Sequence, residues 1–210
     1  EIGVTAILVR EYRNGVLIGS VVRDMQFLTK ICNPNLLPTA TGINGSSNFS
    51  AVVCPGSTIT FSVNSSDPNA TDTVIMNWNN VIPGATFTTV GAQFPIGTFT
   101  WTPSVSDARS QPYTFIVTVR DNACPTNGSQ TYSFSLVVPV INTTVSSPQY
   151  NGYNVACAGA ATGSVTATTV GGTLPYTYSW NPSGQTTQTA TALASGTYTV
   201  TVTDASGCTS

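Results

Sequence analysis

Thr197-Tyr198-Thr199-Val200-Thr201-Val202-Thr203 sets an apolar or aromatic side chain at every second position, with threonine between. Successive side chains of a strand point to opposite faces, so such a ribbon has one face for a core and one for water. Thr58-Ile59-Thr60-Phe61-Ser62-Val63 and Thr131-Tyr132-Ser133-Phe134-Ser135-Leu136 repeat the pattern, while Tyr113 to Val119 is more fully apolar. The Thr, Val and Tyr bias favours strands over helices. No segment of about ten residues carries helical periodicity. The chain is predicted to be all β.

Outward from these ribbons, Asp67-Pro68, Pro83-Gly84, Pro95 and Pro103 break the middle of the chain into short strands, whose spacing suits a β-sandwich. Upstream, Ile2 to Arg13 and Val16 to Leu28 are extended apolar runs joined by Asn14-Gly15, the signature of a type I′ turn. A lone hairpin is marginal in water. Residues 1–31 therefore read as the last hairpin of a preceding module, the alternative being a hairpin that joins the following sheet. Asn33 to Ser50, rich in Pro, Gly, Asn and Ser, reads as linker and irregular entry, and Pro139 to Pro148 as a second seam. Beyond it, Gly163 to Val170, Tyr176 to Trp180 and Gly196 to Thr203 form a shorter unit. The expected organisation is serial: 1–31, a sandwich over 32–143 and a small β-module over 144–210.

Only 7% of residues are charged, against about 25% in ordinary globular chains. Yet 40% are apolar, enough to build cores. Arg10, Arg13, Arg23, Lys30, Arg109 and Arg120 are scattered, so no basic stripe offers itself to nucleic acid. No apolar run has the length of a membrane helix. The opening Glu1-Ile2-Gly3-Val4 already sits in a strand-like pattern with no signal peptide, as expected of a piece of something longer.

Catalysis has little to work with. Histidine is absent and there is one lysine, so the usual general bases are missing and the many hydroxyls have nothing to activate them. Trp78, Trp101 and Trp180 lie within strand-like segments and read as core, the other reading being platforms for sugar rings. Of the five cysteines, none forms a CxxC pair, and their spacing in Thr-rich strands fits an oxidising, extracellular setting. Cys157–Cys208 is expected to staple the last module and Cys54–Cys124 the middle one, with Cys32–Cys54 as rival and Cys32 otherwise left for a partner upstream. Each of the first two would contribute about 4 kcal/mol by loop entropy, and a module of some 60 residues is marginal without staples.

Two stretches resemble known families. Ala161-Thr162-Gly163-Ser164-Val165, Gly171-Gly172-Thr173-Leu174-Pro175-Tyr176-Thr177-Tyr178-Ser179-Trp180 and Gly196 to Asp204, ending Gly207-Cys208, closely resemble the repeat of SprB-type gliding-motility adhesins of Bacteroidetes. Gly97-Thr98-Phe99-Thr100-Trp101-Thr102-Pro103-Ser104, Tyr113 to Val119 and Asp121-Asn122 resemble, more loosely, PKD-like and dystroglycan-type cadherin-like modules. The resemblance implies tandem Ig-like or cadherin-like sandwiches in a filament exported by the type IX system. It implies an extracellular place at the cell surface, and a structural stalk that supports attachment or gliding. The partners implied are neighbouring modules of the same chain, like filaments, and a polysaccharide or solid surface. The alternative is a carbohydrate- or surface-binding module.

Cadherin-like modules often carry an Asp-Pro-Asp-Gly-Asp turn for calcium. Asp67-Pro68-Asn69-Ala70-Thr71-Asp72 is similar but one residue longer, with Asn69 for the middle acid. Asp67, Asn69, Asp72, Asp107 and Asp121 are the candidate ligands of weakly held Ca²⁺, a hard cation that takes carboxylate and carbonyl oxygens. The other reading is an Asx-turn serving its own backbone. No other cofactor is expected. Asp72-Thr73-Val74 is similar to the pattern on which secreted Bacteroidetes proteins are O-glycosylated, which singles out Thr73.

Overall fold

A computed structural model describes residues 2–28, 34–123, 126–149, 152–155 and 159–210. Alternation becomes burial along β5 (Ile59–Ser66), where Phe61 and Val63 are buried and Thr60 faces solvent. The same holds on β9 (Tyr113–Asp121), which buries Phe115, Val117 and Val119, and on β10 (Ser129–Val137), which buries Phe134 and Leu136. Removing a side chain of this kind from water contributes roughly 1.5–3 kcal/mol. These residues therefore fix which face turns inward.

The middle module pairs β3 (Thr39–Ala40), β5, β8 (Ile96–Trp101) and β7 (Thr86–Val90) in one sheet, in the order β3-β5-β8-β7. The facing sheet runs β4-β10-β9-β6, with β4 at Ser50–Val52 and β6 at Val74–Trp78. Only β4 pairs in parallel, on β10; the other ladders are antiparallel. The entry segment is thus divided between both sheets, and the whole is an Ig-like sandwich. Phe61 and Phe99 from one sheet meet Phe115 and Phe134 from the other. Ring centroids lie 4.6 Å apart for Phe99–Phe115 and 5.0 Å for Phe115–Phe134.

Much of the stretch read as linker is part of this sandwich. It holds β3 and a short 3₁₀ turn at Ile43–Gly45, and its last residue, Ser50, opens β4. Phe49 stacks on Tyr132 at 5.7 Å. Gly42 is required there: a Cβ would sit 2.1 Å from the Asn48 carbonyl oxygen, which accepts the Ile43 N–H at 2.7 Å.

The second module comprises β11 (Ile141–Ser146), β12 (Gly163–Gly171), β13 (Thr177–Asn181), β14 (Thr189–Leu193) and β15 (Thr199–Thr203). They form sheets β11-β12-β14 and β13-β15 around Trp180, Ala167, Ala190 and Leu193. β11 occupies the seam expected at Pro139 to Pro148 and pairs along its length with β12. Its Ile141, Thr143, Thr144 and Val145 are β-branched and suit a pleated strand.

β1 (Ile2–Arg13) and β2 (Val16–Leu28) form a separate two-stranded sheet that, among the described residues, pairs with no strand of either module. Asn14 and Gly15 take the positive φ values, 48° and 78°, that the type I′ turn needs. Ile7, Leu8, Val9, Val21 and Val22 are all exposed on it.

Trp101 and Trp180 are buried, and the half-buried Trp78 lies edge-on to Phe99 and Phe115. Indole N–H groups of the two buried residues donate to the Pro83 and Thr187 carbonyls, at 3.2 and 2.9 Å. Core packing is therefore the reading that holds for the tryptophans.

Candidate functional site

The candidate calcium ligands do not converge. Ile59 pairs with Trp101 at one end of the sandwich, while Val74 pairs with Asp121 at the other. Asp107, just beyond Trp101, therefore lies a full strand away from Asp67, Asp72 and Asp121, about 25 Å for a strand of this length. Its carboxylate accepts the Ser104 hydroxyl and backbone N–H at 2.6 and 2.7 Å, closing a capping box on the 3₁₀ turn Val105–Asp107. The Ser104 hydroxyl and then its N–H hold the Asp107 carboxyl below the ordinary value.

At the other end, Asp67 closes an Asx-turn, its Oδ1 accepting the Asn69 N–H at 2.7 Å. Asn69 Oδ1 accepts the Leu36 N–H at 2.8 Å. Asp121 is 1% exposed, and its carboxylate accepts from the Ala123 and Gly128 N–H groups and the Asn35 amide. Burial pushes this carboxyl up, but those donors and the charge of Arg120 outweigh it and hold it below the ordinary carboxylate value. Asp67 Oδ2 and Asn35 Oδ1 are buried with no hydrogen-bond partner among the described residues. No group of three acidic, histidine or cysteine side chains that would hold a metal occurs among the described residues. Thr73 is half-buried just before β6, its N–H donating to Asn122 Oδ1 at 2.8 Å.

Asp204, which sequence reasoning missed, is the counterpart of Asp121 in the second module. It is 5% exposed and accepts N–H groups from Thr173, Ser206 and Cys208, at 2.8, 2.9 and 2.9 Å. The signal lay in Asp204-Ala205-Ser206-Gly207, where an acid precedes small turn residues.

The turn delivers Cys208 to the neighbouring module. Cys208 is bonded to Cys54, with Cα atoms 5.1 Å apart across a sequence separation of 154. This corrects both expected pairs, since Cys54 cannot also hold Cys124 nor Cys208 hold Cys157; the rival Cys32–Cys54 falls likewise. Cys32, Cys124 and Cys157 lie outside the described residues. Cys54 follows β4, whose edge position beside β10 brings it to the end of the sandwich facing the second module.

Only Val138-Pro139-Val140 separates β10 from β11. Val138 is buried and its carbonyl accepts the Arg109 N–H at 3.1 Å. A cavity of about 550 Å³ lies at this seam, with Pro55, Val105, Ala108, Val140 and Cys208 in its wall.

A second cleft, of about 250 Å³, opens in the second module between Tyr153 and Tyr198. Ser147, Asn154 and Ser195 supply polar groups and Val165 and Leu193 an apolar floor. Tyr153 is 71% exposed, as a ring for stacking against a ligand would be.

No curated protein matches the chain. Similar solved structures include a chimeric titin Z1Z2, at 16% identity and TM-score 0.32, over 85% of this chain and 94% of that one. Another is the sialic acid binding region of a Streptococcus sanguinis SK1 adhesin, at 13% identity and TM-score 0.40, over 85% and 76%. The mouse nectin-like molecule 4 ectodomain is similar at 14% identity and TM-score 0.35, over 83% and 62%. Within the second module, residues 153–185 match the SprB repeat.

Proposed function

We propose that the chain is a structural segment of the stalk or filament of a large secreted surface adhesin, supporting attachment or gliding motility. The observation that carries this is the serial arrangement: two sandwiches joined by three residues and tied across the joint by Cys54–Cys208. The SprB repeat match at residues 153–185 supports the same reading. A short connection with a buried Val138 limits bending, which suits a part that conveys distance. The hairpin β1–β2, with apolar side chains exposed on both faces, is assigned to a preceding module that covers it. Export by a type IX system and O-glycosylation of Thr73 belong to this proposal. We assign no catalytic step to a chain without histidine whose buried carboxylates serve turns.

A glycan array on the purified segment tests the proposal: a stalk segment binds no sugar specifically. The second reading, a carbohydrate- or surface-binding module, is favoured by the cleft beside Tyr153. On that reading a glycan binds and Tyr153→Ala abolishes the signal.

A further inference from the structure

We propose that the Cys54–Cys208 bond is a mechanical shunt, which carries tension past β5 to β15 and limits how far the pair can extend. It deepens the stalk reading and rests on that reading only for its purpose in the cell. A within-module staple protects one fold; this bond leaves the first module beside β4 and re-enters the chain two residues from Ser210. Tension entering ahead of Cys54 and leaving after Cys208 has a covalent route that bypasses everything between them.

The anchorages at both ends are built for load. On one side, Val53 is 4% exposed and its N–H donates to the Val137 carbonyl at 2.9 Å, next to the parallel β4–β10 ladder. On the other, Cys208 is 1% exposed and its N–H is held by the buried Asp204 carboxylate, while the Asp204 N–H returns to the Cys208 carbonyl at 2.9 Å. Beyond Cys208, Ser210 exchanges hydrogen bonds with Val202, and its hydroxyl donates to Thr143 on β11 at 2.8 Å. Both cysteines are thus fixed by their own module.

The consequence is a length. An extended chain reaches at most about 3.3–3.6 Å per residue, so the enclosed separation of 154 is worth about 500 Å of tether. With the bond closed, only the residues before Cys54 and after Cys208 can pay out, about 200 Å in all. With every disulfide reduced, the whole chain can, about 700 Å. A filament of such pairs keeps its length under a pull that would unravel unlinked modules.

Single-molecule force spectroscopy on residues 1–210 held between marker domains tests this, with the oxidised protein, the same protein after phosphine reduction, and C54S/C208S. The expected result is a total contour-length gain of at most about 200 Å when oxidised, near 700 Å after reduction, and well above the oxidised value for C54S/C208S. Equal gains in oxidised and reduced protein overturn the shunt. So does an oxidised gain near 300 Å, the value for Cys54–Cys124 with Cys157–Cys208. Reduction of the wild-type chain keeps the comparison intact should the double variant fail to fold. The two readings fail separately. Equal gains leave the stalk standing, whereas specific glycan binding removes the stalk and leaves a difference of at least about 500 Å between oxidised and reduced protein.

Discussion

Replacing Trp180 by alanine tests whether the second module depends on one side chain. Trp180 is 1% exposed on β13, and two of the buried side chains around it are the alanines Ala167 and Ala190, so the indole is by far the largest buried side chain of that core. Truncating a buried tryptophan costs about 3–5 kcal/mol through lost burial and the cavity left behind. The Thr187 carbonyl also loses its indole donor at 2.9 Å, worth about 1 kcal/mol. At 0.05–0.15 kcal/mol per residue, a module running from Ile141 to Ser210 has a total stability of about 3.5–10 kcal/mol. The variant should therefore sit at or near the unfolding threshold. Calorimetry of the oxidised segment should show one transition lowered by more than about 12 °C or lost, at about 4–8 °C per kcal/mol for a domain of this size. The transition of the first module, whose phenylalanine stack is separate, should stay in place. Two transitions unmoved within about 3 °C would refute the reasoning, because the core would then not rest on Trp180.

Three further outcomes follow from the buried turns. Asp121 has a depressed native pKa, so its stabilisation is full above the unfolded value near 3.9 and is lost as pH falls through the native one. The first module's melting temperature should fall on acidification below about pH 4, and Asp121→Asn should flatten that fall; parallel curves would refute the assignment. Gly172→Ala puts a Cβ 2.8 Å from Asp204 Oδ2 and 2.9 Å from Ile141 Cγ1 at φ +67°, whereas Gly56→Ala at φ +80° meets open space. Urea melts should show a loss of about 2–3 kcal/mol for the first and about 1 kcal/mol for the second, and equal losses would contradict the packing around Asp204. Calcium at millimolar concentration should move neither melting temperature by more than about 1 °C, since the Asp67 turn serves its own backbone. A saturable rise would show instead that Asp67 Oδ2 and Asn35 Oδ1 gather a cation.

What was legible in the sequence was local. Thr-apolar alternation reports which face of a strand is buried, and Phe61, Phe134 and Val202 obey it. Asn14-Gly15 reports its own backbone angles. The entry strands were hidden because β3 and β4 have two and three residues, too few to show a period, and because β11 lies between prolines that read as a seam. The disulfide was hidden for a different reason. Pairing depends on how modules are placed in space, and spacing along the chain favoured bonds within a module over the bond between modules. Asp67, Asp72 and Asp121 share one end of the sandwich, as a calcium reading requires, but Asp107 belongs to the opposite end, which only the strand register reveals.

The central claim is that these sandwiches act as serial parts of a shaft. Electron microscopy of native surface filaments, labelled with antibody raised against residues 34–210, addresses it most directly. Label at intervals along a beaded shaft is the predicted result. Label confined to a filament tip, or absent from filaments altogether, would contradict it.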